Sequence, residues 1–203
     1  MADKPQESPL ASVALNAFES SINDAIQILN SMRALEHDLQ QAAAYCISSL
    51  KSGHKLLVCG NGGSASEAQH LAGELVGKYR DNRIALPALA LTADSAVMTC
   101  IANDFSYGDV FARQVQAFGK PGDVLVAFST SGQSENVLKA LKTARELQLT
   151  SVIFLGRDSG SAALLADCAL VVPHLATARI QEGHQFLMHS MMDLIEAAIT
   201  HDS

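Results

Sequence analysis

Residues 124–134 have the sequence VLVAFSTSGQS, and this stretch gives the clearest indication of the fold. Its five apolar residues predict a buried β-strand, and the next six, of which four are Ser or Thr, form a hydroxyl loop (129–134). A helical pattern follows over 135–147. Such a loop suits a phosphate, because free amides and the positive end of the helix dipole face it. One hydroxyl is enough for a helix cap, so the surplus favours ligand binding over a plain cap.

Short apolar runs recur on both sides of this stretch and alternate with helical segments. Runs that are apolar on both faces suit a parallel sheet covered by helices on each side and joined by right-handed crossovers. The expected fold class is therefore α/β, a three-layer α/β/α sandwich around a five-stranded parallel sheet. The five predicted strands are 55–59, 88–91, 123–128, 151–155 and 168–172.

Two helices are predicted ahead of the first strand. Apolar residues recur every three or four positions over 18–32, and a second helical pattern covers 34–50. These helices exceed what a minimal sandwich needs, so they either pack on the chain's own sheet or pair with a neighbouring subunit. We expect one domain over 1–203, with a helical extension at 1–50 and an α/β core at 51–203.

Composition and charge exclude several classes of protein. The formal net charge is −7 and Lys and Arg do not cluster, which argues against direct nucleic-acid binding. No apolar run is long enough for a membrane span, and the polar N-terminus lacks the pattern of a secretory signal. We therefore expect a cytoplasmic protein. Its isolated cysteines all have apolar neighbours and are expected to be reduced and buried: Cys46, Cys59, Cys100 and Cys168.

A second glycine-rich loop follows the first predicted strand. The segment 60–65 has the sequence GNGGSA, which fits the Gly-x-Gly-x-x-Ala pattern of dinucleotide-binding folds. That fold places an acidic residue about twenty residues further on, whereas Asp94 comes roughly thirty residues on. A Walker-type phosphate loop is excluded, because no Gly-x-x-x-x-Gly-Lys-Ser/Thr segment occurs. A dinucleotide site stays an alternative that this spacing disfavours.

The helix predicted after this loop carries His70 and Glu74 four residues apart, so both side chains lie on one face. Such a pair suits two ligands of one zinc ion, or an acid and a base that act on adjacent substrate atoms. A solvated His and Glu on a surface helix have the same spacing. The pair is therefore a candidate site that needs a second feature.

The last predicted helix, from Arg179 onwards, begins with unusually polar residues. Gln181, Gln185 and His189 fall within one broad face of this helix. His184 is angularly close to Gln181, so spacing alone does not choose between the two histidines.

Taken together, these motifs resemble the SIS (sugar isomerase) domain family, and within it the phosphoheptose isomerases. The resemblance covers about 52–198, and the N-terminal helices match in kind. It is carried by CGNGGS at 59–64, QH at 69–70, Glu74, AND at 102–104, GDVL at 122–125, the hydroxyl loop, and RIQE at 179–182.

The resemblance implies a homotetramer with active sites at subunit interfaces. It also implies one zinc ion per subunit, held by His70, Glu74, Gln181 and His189, which assigns the metal to His189 rather than His184. The hydroxyl loop would bind the substrate's phosphate. The substrate contacts implied are Asn61, Gly62, Gly63, Ser64, Glu74, Asn103, Asp104, Ser129, Thr130, Ser131, Ser134 and Gln181.

The reaction implied converts D-sedoheptulose 7-phosphate into D-glycero-D-manno-heptose 7-phosphate, the first step towards the ADP-heptose of bacterial lipopolysaccharide. Glu74 would be the general base and His189 the general acid, with an enediol intermediate. Two alternatives have a similar fold. One is a non-catalytic SIS protein that binds the replication initiator, although such proteins lack the pair matching Glu74 and His189. The other is a SIS isomerase of another sugar phosphate.

Overall fold

The computed structural model describes the backbone of residues 9–200 and the side chains of 16–200. A parallel sheet of five strands lies at its centre, in the order β2-β1-β3-β4-β5. This confirms the predicted sheet, and no predicted strand boundary differs from the observed one by more than one residue. The strands are β1 (Leu56–Gly60), β2 (Ala88–Ala90), β3 (Val124–Ser129), β4 (Thr150–Gly156) and β5 (Cys168–Val172).

Seven α-helices in the described range surround the sheet: α1 (Pro9–Ser31), α2 (Glu36–Lys51), α3 (Gly63–Val76), α4 (Ser95–Asp104), α5 (Ala112–Phe118), α6 (Glu135–Glu146) and α7 (Thr177–Thr200). Short 3₁₀ turns occur at Met32–Leu35, Tyr107–Asp109 and Ser161–Leu164. The sequence predicts helices between the strands without singling out α4 or α5. Within 9–200, no helix combines the length and the apolar character that a membrane crossing requires.

Alternating strand residues divide the core into two layers, as expected for a sheet covered on both faces. Leu56 and Val58 of β1 join the apolar cluster that contains residues of α2, α3 and α7. Leu57 and Cys59 of the same strand join the opposite cluster, which contains residues of α4, α5 and α6. The predicted three-layer α/β/α sandwich is confirmed.

The two N-terminal helices behave differently. α2 packs on the chain's own core through buried residues such as Cys46, in the same cluster as the apolar side of α7. α1 contributes Ile28 to that core. Four large apolar residues in the part of α1 whose side chains are described face solvent, with Phe18 68% exposed and Ile22, Ile26 and Leu29 also exposed. Packing on the chain's own sheet is thus confirmed for α2, whereas α1 leaves an apolar face uncovered.

The cysteines are free thiols, but only three are buried. Burial raises the pKa of Cys46 and of Cys59 to about 12, so these thiols stay protonated. The expectation of a buried thiol is wrong for Cys100, which lies on the exposed side of α4. Apolar neighbours in sequence misled here, because successive residues of a helix point in different directions.

The strand order reverses between β1 and β3, which places two loops side by side. Gly60 at the end of β1 is in register with Phe128 near the end of β3. The loop 60–65 and the hydroxyl loop therefore meet at the carboxyl edge of the sheet, the position at which open parallel sheets bind ligands.

Candidate active site

A cavity of about 250 Å³ lies where these two loops meet, and we call it the anion cavity. Residues at the starts of three helices line it: Gly62 and Gly63 at α3, Ser134 at α6, and Thr177 at α7. Helix starts attract anions through free amides and the helix dipole. The lining consists of Asn61, Gly62, Gly63, Ser64, Phe128, Ser129, Thr130, Ser134, Thr177 and Gln181, of which sequence reasoning missed Phe128 and Thr177.

The hydroxyl loop is shaped by its own side chains and by one glycine. Ser129 Oγ accepts a hydrogen bond from the Gly132 amide at 3.1 Å, and Ser131 Oγ accepts one from the Gln133 amide at 3.2 Å. Gly132 has φ +62°, and a Cβ at this position would collide with the carbonyl oxygen of Ser159. Only glycine fits this turn. Ser131 supports the loop without lining the cavity.

Ser134 precedes α6 without capping it. Its side chain makes no capping hydrogen bond, although it stands at the N-cap position. Because it also lines the anion cavity, its hydroxyl is available to a ligand. This geometry favours the ligand-binding interpretation of the hydroxyl loop over the plain cap.

Asn61 ties the first loop to α6. Its side-chain amide exchanges two hydrogen bonds of 2.8 Å with that of Asn136, and Tyr107 Oη donates to Asn61 Oδ1 at 2.9 Å. Sequence reasoning missed Asn136 and Tyr107, because these bonds join segments far apart in the chain.

A second group of side chains joins α3 to α7. One ligand atom from each of His70, Glu74 and His189 lies within 4.8 Å of the others, and we call this the His–Glu cluster. His70 Nε2 and Glu74 Oε1 are 2.9 Å apart. Gln185 bridges the two histidines, with its amide nitrogen 2.9 Å from His70 Nδ1 and 3.0 Å from His189 Nε2.

The surroundings of His189 favour its neutral form. Burial lowers the pKa of His189 below its usual value of 6.5, and the neighbouring His70 lowers it further. A neutral imidazole is the form that ligates metal ions. Two imidazoles and a carboxylate also match the three protein ligands of many catalytic zinc sites, in which substrate or water takes the fourth position. The residues present therefore fit a zinc ion.

Gln181 occupies a different position from Gln185, one helical turn earlier on α7. A Cβ on Gly63 would overlap the Gln181 amide, so this glycine lets α7 approach the start of α3. Gln181 borders the anion cavity, whereas Gln185 contacts the two histidines. The sequence pattern placed Gln185 on the same helix face as Gln181 and His189, but we assigned it no role from the sequence.

The other histidine of α7 lies in the core. His184 is fully buried, and its Nε2 is 2.9 Å from the carbonyl oxygen of Leu155. The structure thus brings His189, and not His184, beside His70 and Glu74.

Asn103 and Asp104 are exposed at the end of α4, where Asn103 Nδ2 donates to Asp104 Oδ1 at 2.8 Å. Neither residue lines the anion cavity of this chain. Asp94 accepts a hydrogen bond from the Val97 amide at 3.0 Å and caps α4, so this carboxylate has a structural role. Because Asp94 caps a helix, the alternative of a dinucleotide site lacks the acidic residue that it requires.

Comparisons with known proteins identify relatives of this fold. A family model described as the SIS domain matches residues 21–156. A phosphoheptose isomerase from Paramagnetospirillum magneticum is 51% identical over 164 residues, which cover 81% of this chain and 85% of that protein. The structure of a phosphoheptose isomerase from Neisseria gonorrhoeae superposes with a TM-score of 0.86 at 40% identity, and one from Francisella tularensis with 0.88 at 36%. Each match covers 91% of this chain, and 99% and 98% of those chains, respectively.

Proposed function

Because the chain belongs to the SIS domain family and, within it, to the phosphoheptose isomerases, we propose that it converts D-sedoheptulose 7-phosphate into D-glycero-D-manno-heptose 7-phosphate. This would be the first step towards the ADP-heptose of a bacterial lipopolysaccharide core. The observation that carries the proposal is the pairing of two sites along α7. Gln181 borders an anion cavity, and Gln185, one turn on, contacts the two histidines of a carboxylate–imidazole cluster.

The anion cavity binds the phosphate end of the substrate. Its lining residues carry no Lys or Arg side chain, so the negative charge is met by backbone amides, hydroxyls and three helix starts. Ser129, Thr130 and Ser134 supply hydroxyls, and Ser131 keeps the loop in shape. Asn103 and Asp104 lie outside this cavity, so their proposed contacts would be with substrate bound to a neighbouring subunit. Their exposure agrees with this.

The His–Glu cluster carries out the chemistry at the other end of the sugar. Glu74 removes the proton from C1 as general base while His189 protonates the neighbouring carbonyl oxygen as general acid, and the enediol collapses to the aldose when Glu74 returns the proton to C2. Each group contributes on the order of 10² to 10⁴ in rate. Because the lowered pKa of His189 favours its neutral form, the proton that it delivers to one substrate oxygen would come from the neighbouring substrate hydroxyl.

His70, Glu74, Gln181 and His189 are the proposed ligands of a zinc ion, one per subunit. Such an ion supplies a Lewis acid that polarises the carbonyl of the sugar. The donor set and the lowered pKa of His189 support three of these ligands. Gln181 is the fourth by family resemblance, and its amide lies against the start of α3.

We further propose a cytoplasmic homotetramer built from single-domain subunits spanning 1–203. The uncovered apolar residues of α1, among them Phe18 and Ile26, form a face that a second copy would bury. Packing of α2 within the same core as the sheet supports one domain. Three buried free thiols agree with a reducing compartment.

A coupled assay with sedoheptulose 7-phosphate, run with and without a chelator, tests this function. We expect turnover that the chelator abolishes and that added zinc restores. A panel of pentose and amino-sugar phosphates in the same assay tests the alternative isomerases. Turnover of another sugar phosphate in preference to the heptulose would overturn the substrate assignment, and no turnover of any of them would favour a binding protein.

A further inference from the structure

Tyr79 lies directly on the ring of His189. The two ring centroids are 5.7 Å apart and the planes differ by 25°, which is a stacked arrangement. Tyr79 belongs to the segment that follows α3, so it reaches His189 from outside both helices of the His–Glu cluster. No sequence pattern marked this residue.

The ring of Tyr79 is itself held in place by two charged residues. Burial and the nearby carboxylate of Asp193, which lies one turn after His189 on α7, raise the pKa of the Tyr79 hydroxyl. The guanidinium of Arg80 lies 4.9 Å from the centre of the Tyr79 ring, and Arg80 Nη1 is 2.5 Å from Asp193 Oδ1. Tyr79 is half-buried and packs against the core, and these contacts fix its ring beyond that packing.

His189 has neighbours on three sides. Tyr79 covers one face, the edge of His70 meets it at 79° with centroids 5.1 Å apart, and Gln185 contacts Nε2. An imidazole turns about two side-chain torsions, and the stacked ring limits both. The direction of the His189 nitrogens therefore depends on the position of Tyr79.

We propose that Tyr79 is a positioning residue, which holds the plane of the His189 imidazole in the orientation needed to bind the metal ion and to transfer a proton. The inference rests on the proposed function. Residues that orient metal ligands change metal affinity or activity by about 10- to 100-fold when they are replaced. The stacking of its ring on His189 assigns this role to Tyr79 within the segment after α3.

Three variants separate positioning from general packing. Tyr79→Leu removes the aromatic face, Tyr79→Phe keeps it, and Tyr45→Leu removes a partly buried tyrosine that packs against the core at the opposite end of the sheet. Zinc affinity is measured by chelator competition on the purified protein, and kcat and KM in the coupled assay. Thermal unfolding of the metal-free proteins reports the structural cost.

We expect Tyr79→Leu to lose roughly 10-fold in zinc affinity and roughly 10-fold in kcat, with little change in KM. Tyr79→Phe should restore most of both. Tyr45→Leu should lower the melting temperature while leaving zinc affinity and kcat near the original values. A loss of kcat without a change in KM is expected because the anion cavity does not include Tyr79.

Unchanged zinc affinity and kcat in Tyr79→Leu would overturn the inference while leaving the proposed function intact. A parent protein that binds no zinc or does not turn over heptose phosphates would overturn both. Should Tyr79→Leu fail to fold, Arg80→Met decides, since it removes the cation over the Tyr79 ring and its ion pair with Asp193 while keeping the ring. Loss of a positive charge by itself would strengthen zinc binding, so zinc affinity in Arg80→Met must fall if the position of Tyr79 matters, and a value equal to or above the parent's contradicts the positioning role.

Discussion

The anion cavity and the His–Glu cluster are built in opposite ways. Backbone amides and mostly small, uncharged side chains form the cavity, and its lining contains no ionisable side chain. The cluster consists of long titratable side chains from two helices, and His70 remains 40% exposed. A change in the cavity therefore alters the backbone and the binding of substrate, whereas a change in the cluster alters the chemistry and leaves the fold in place. The predicted effects divide accordingly between KM and kcat.

The largest effect is expected from Glu74→Gln in the cluster. This change removes the general base but keeps the shape of the side chain, so kcat should fall on the order of 10²- to 10⁴-fold while KM stays within a few-fold. Steady-state kinetics in the coupled assay measure both values. Glu146→Gln, an exposed position at the end of α6, is the matched control and should retain full activity. Full activity in Glu74→Gln would contradict the mechanism.

Gly132→Ala should have the largest effect at the cavity. The residue combines φ +62° with a collision between the new Cβ and the carbonyl of Ser159, so the hydroxyl loop must move. A displaced loop loses phosphate contacts, and each 1.4 kcal/mol of lost binding raises KM about 10-fold. We expect KM to rise by at least this factor, together with weaker competitive inhibition by inorganic phosphate.

Gly53→Ala provides the control for Gly132→Ala. It has a similarly strained φ of +79°, but a Cβ there meets open space, and the residue precedes β1 at the other end of the sheet. Its KM should equal that of the parent protein. Equal KM values in both variants would remove the hydroxyl loop from phosphate binding.

The cavity was easier to predict from the sequence than the cluster, for a physical reason. Apolar runs locate the strands, and parallel strands bring their following loops to one edge, so the loops after β1 and β3 are expected to meet. The cluster depends on how α3 is rotated against α7, which no local pattern encodes. His70 and Glu74 were paired from spacing within one helix, but spacing left His184 and His189 open.

The residues that sequence reasoning missed have the same explanation. Gln185 on α7 reaches His70 on α3, and Tyr79 after α3 reaches His189 on α7. Asn136 likewise reaches Asn61 across 75 positions of the chain. Asn103 shows the converse, since its motif was recognised although the residue lies outside the cavity of its own chain. Motifs identify residues, while long-range packing determines which of them meet.

Ser134→Ala and Ser131→Ala sharpen the account of the cavity. Ser134 lines it with a hydroxyl that caps nothing, so its removal should cost one hydrogen bond to a charged group, about 1.5–3 kcal/mol, seen as a rise in KM. Ser131 bonds within the loop, and its removal should cost about 0.5–1.5 kcal/mol. Both changes should leave kcat nearly unaffected. A larger KM for Ser131→Ala than for Ser134→Ala would contradict these separate roles.

The smallest predicted effect is a loss of folding stability at low pH. It should arise on the side of the molecule that carries the His–Glu cluster. Burial raises the pKa of Glu196, but amide hydrogen bonds from Asp81 and Arg80 and the charge of Arg83 outweigh it and hold the pKa below its usual 4.5. The ionised form is thus favoured by folding, and this stability is present above about pH 4.5 and lost as the pH falls through the lowered pKa.

Urea unfolding followed by circular dichroism at a series of pH values tests this loss. The free energy of unfolding should fall below pH 4.5 by about 1.4 kcal/mol for each unit by which folding lowers the pKa of Glu196. Glu196→Gln should be less stable at neutral pH, because Arg83 loses its partner, but should lack this part of the acid slope. Since no titratable group lines the anion cavity, the protein's own response to acid below pH 4.5 should appear in the segment that carries Tyr79 and not in the cavity. An equal acid slope in Glu196→Gln and the parent would mean that other carboxylates carry the acid sensitivity, and the two ends of the site would then no longer differ in their response to pH.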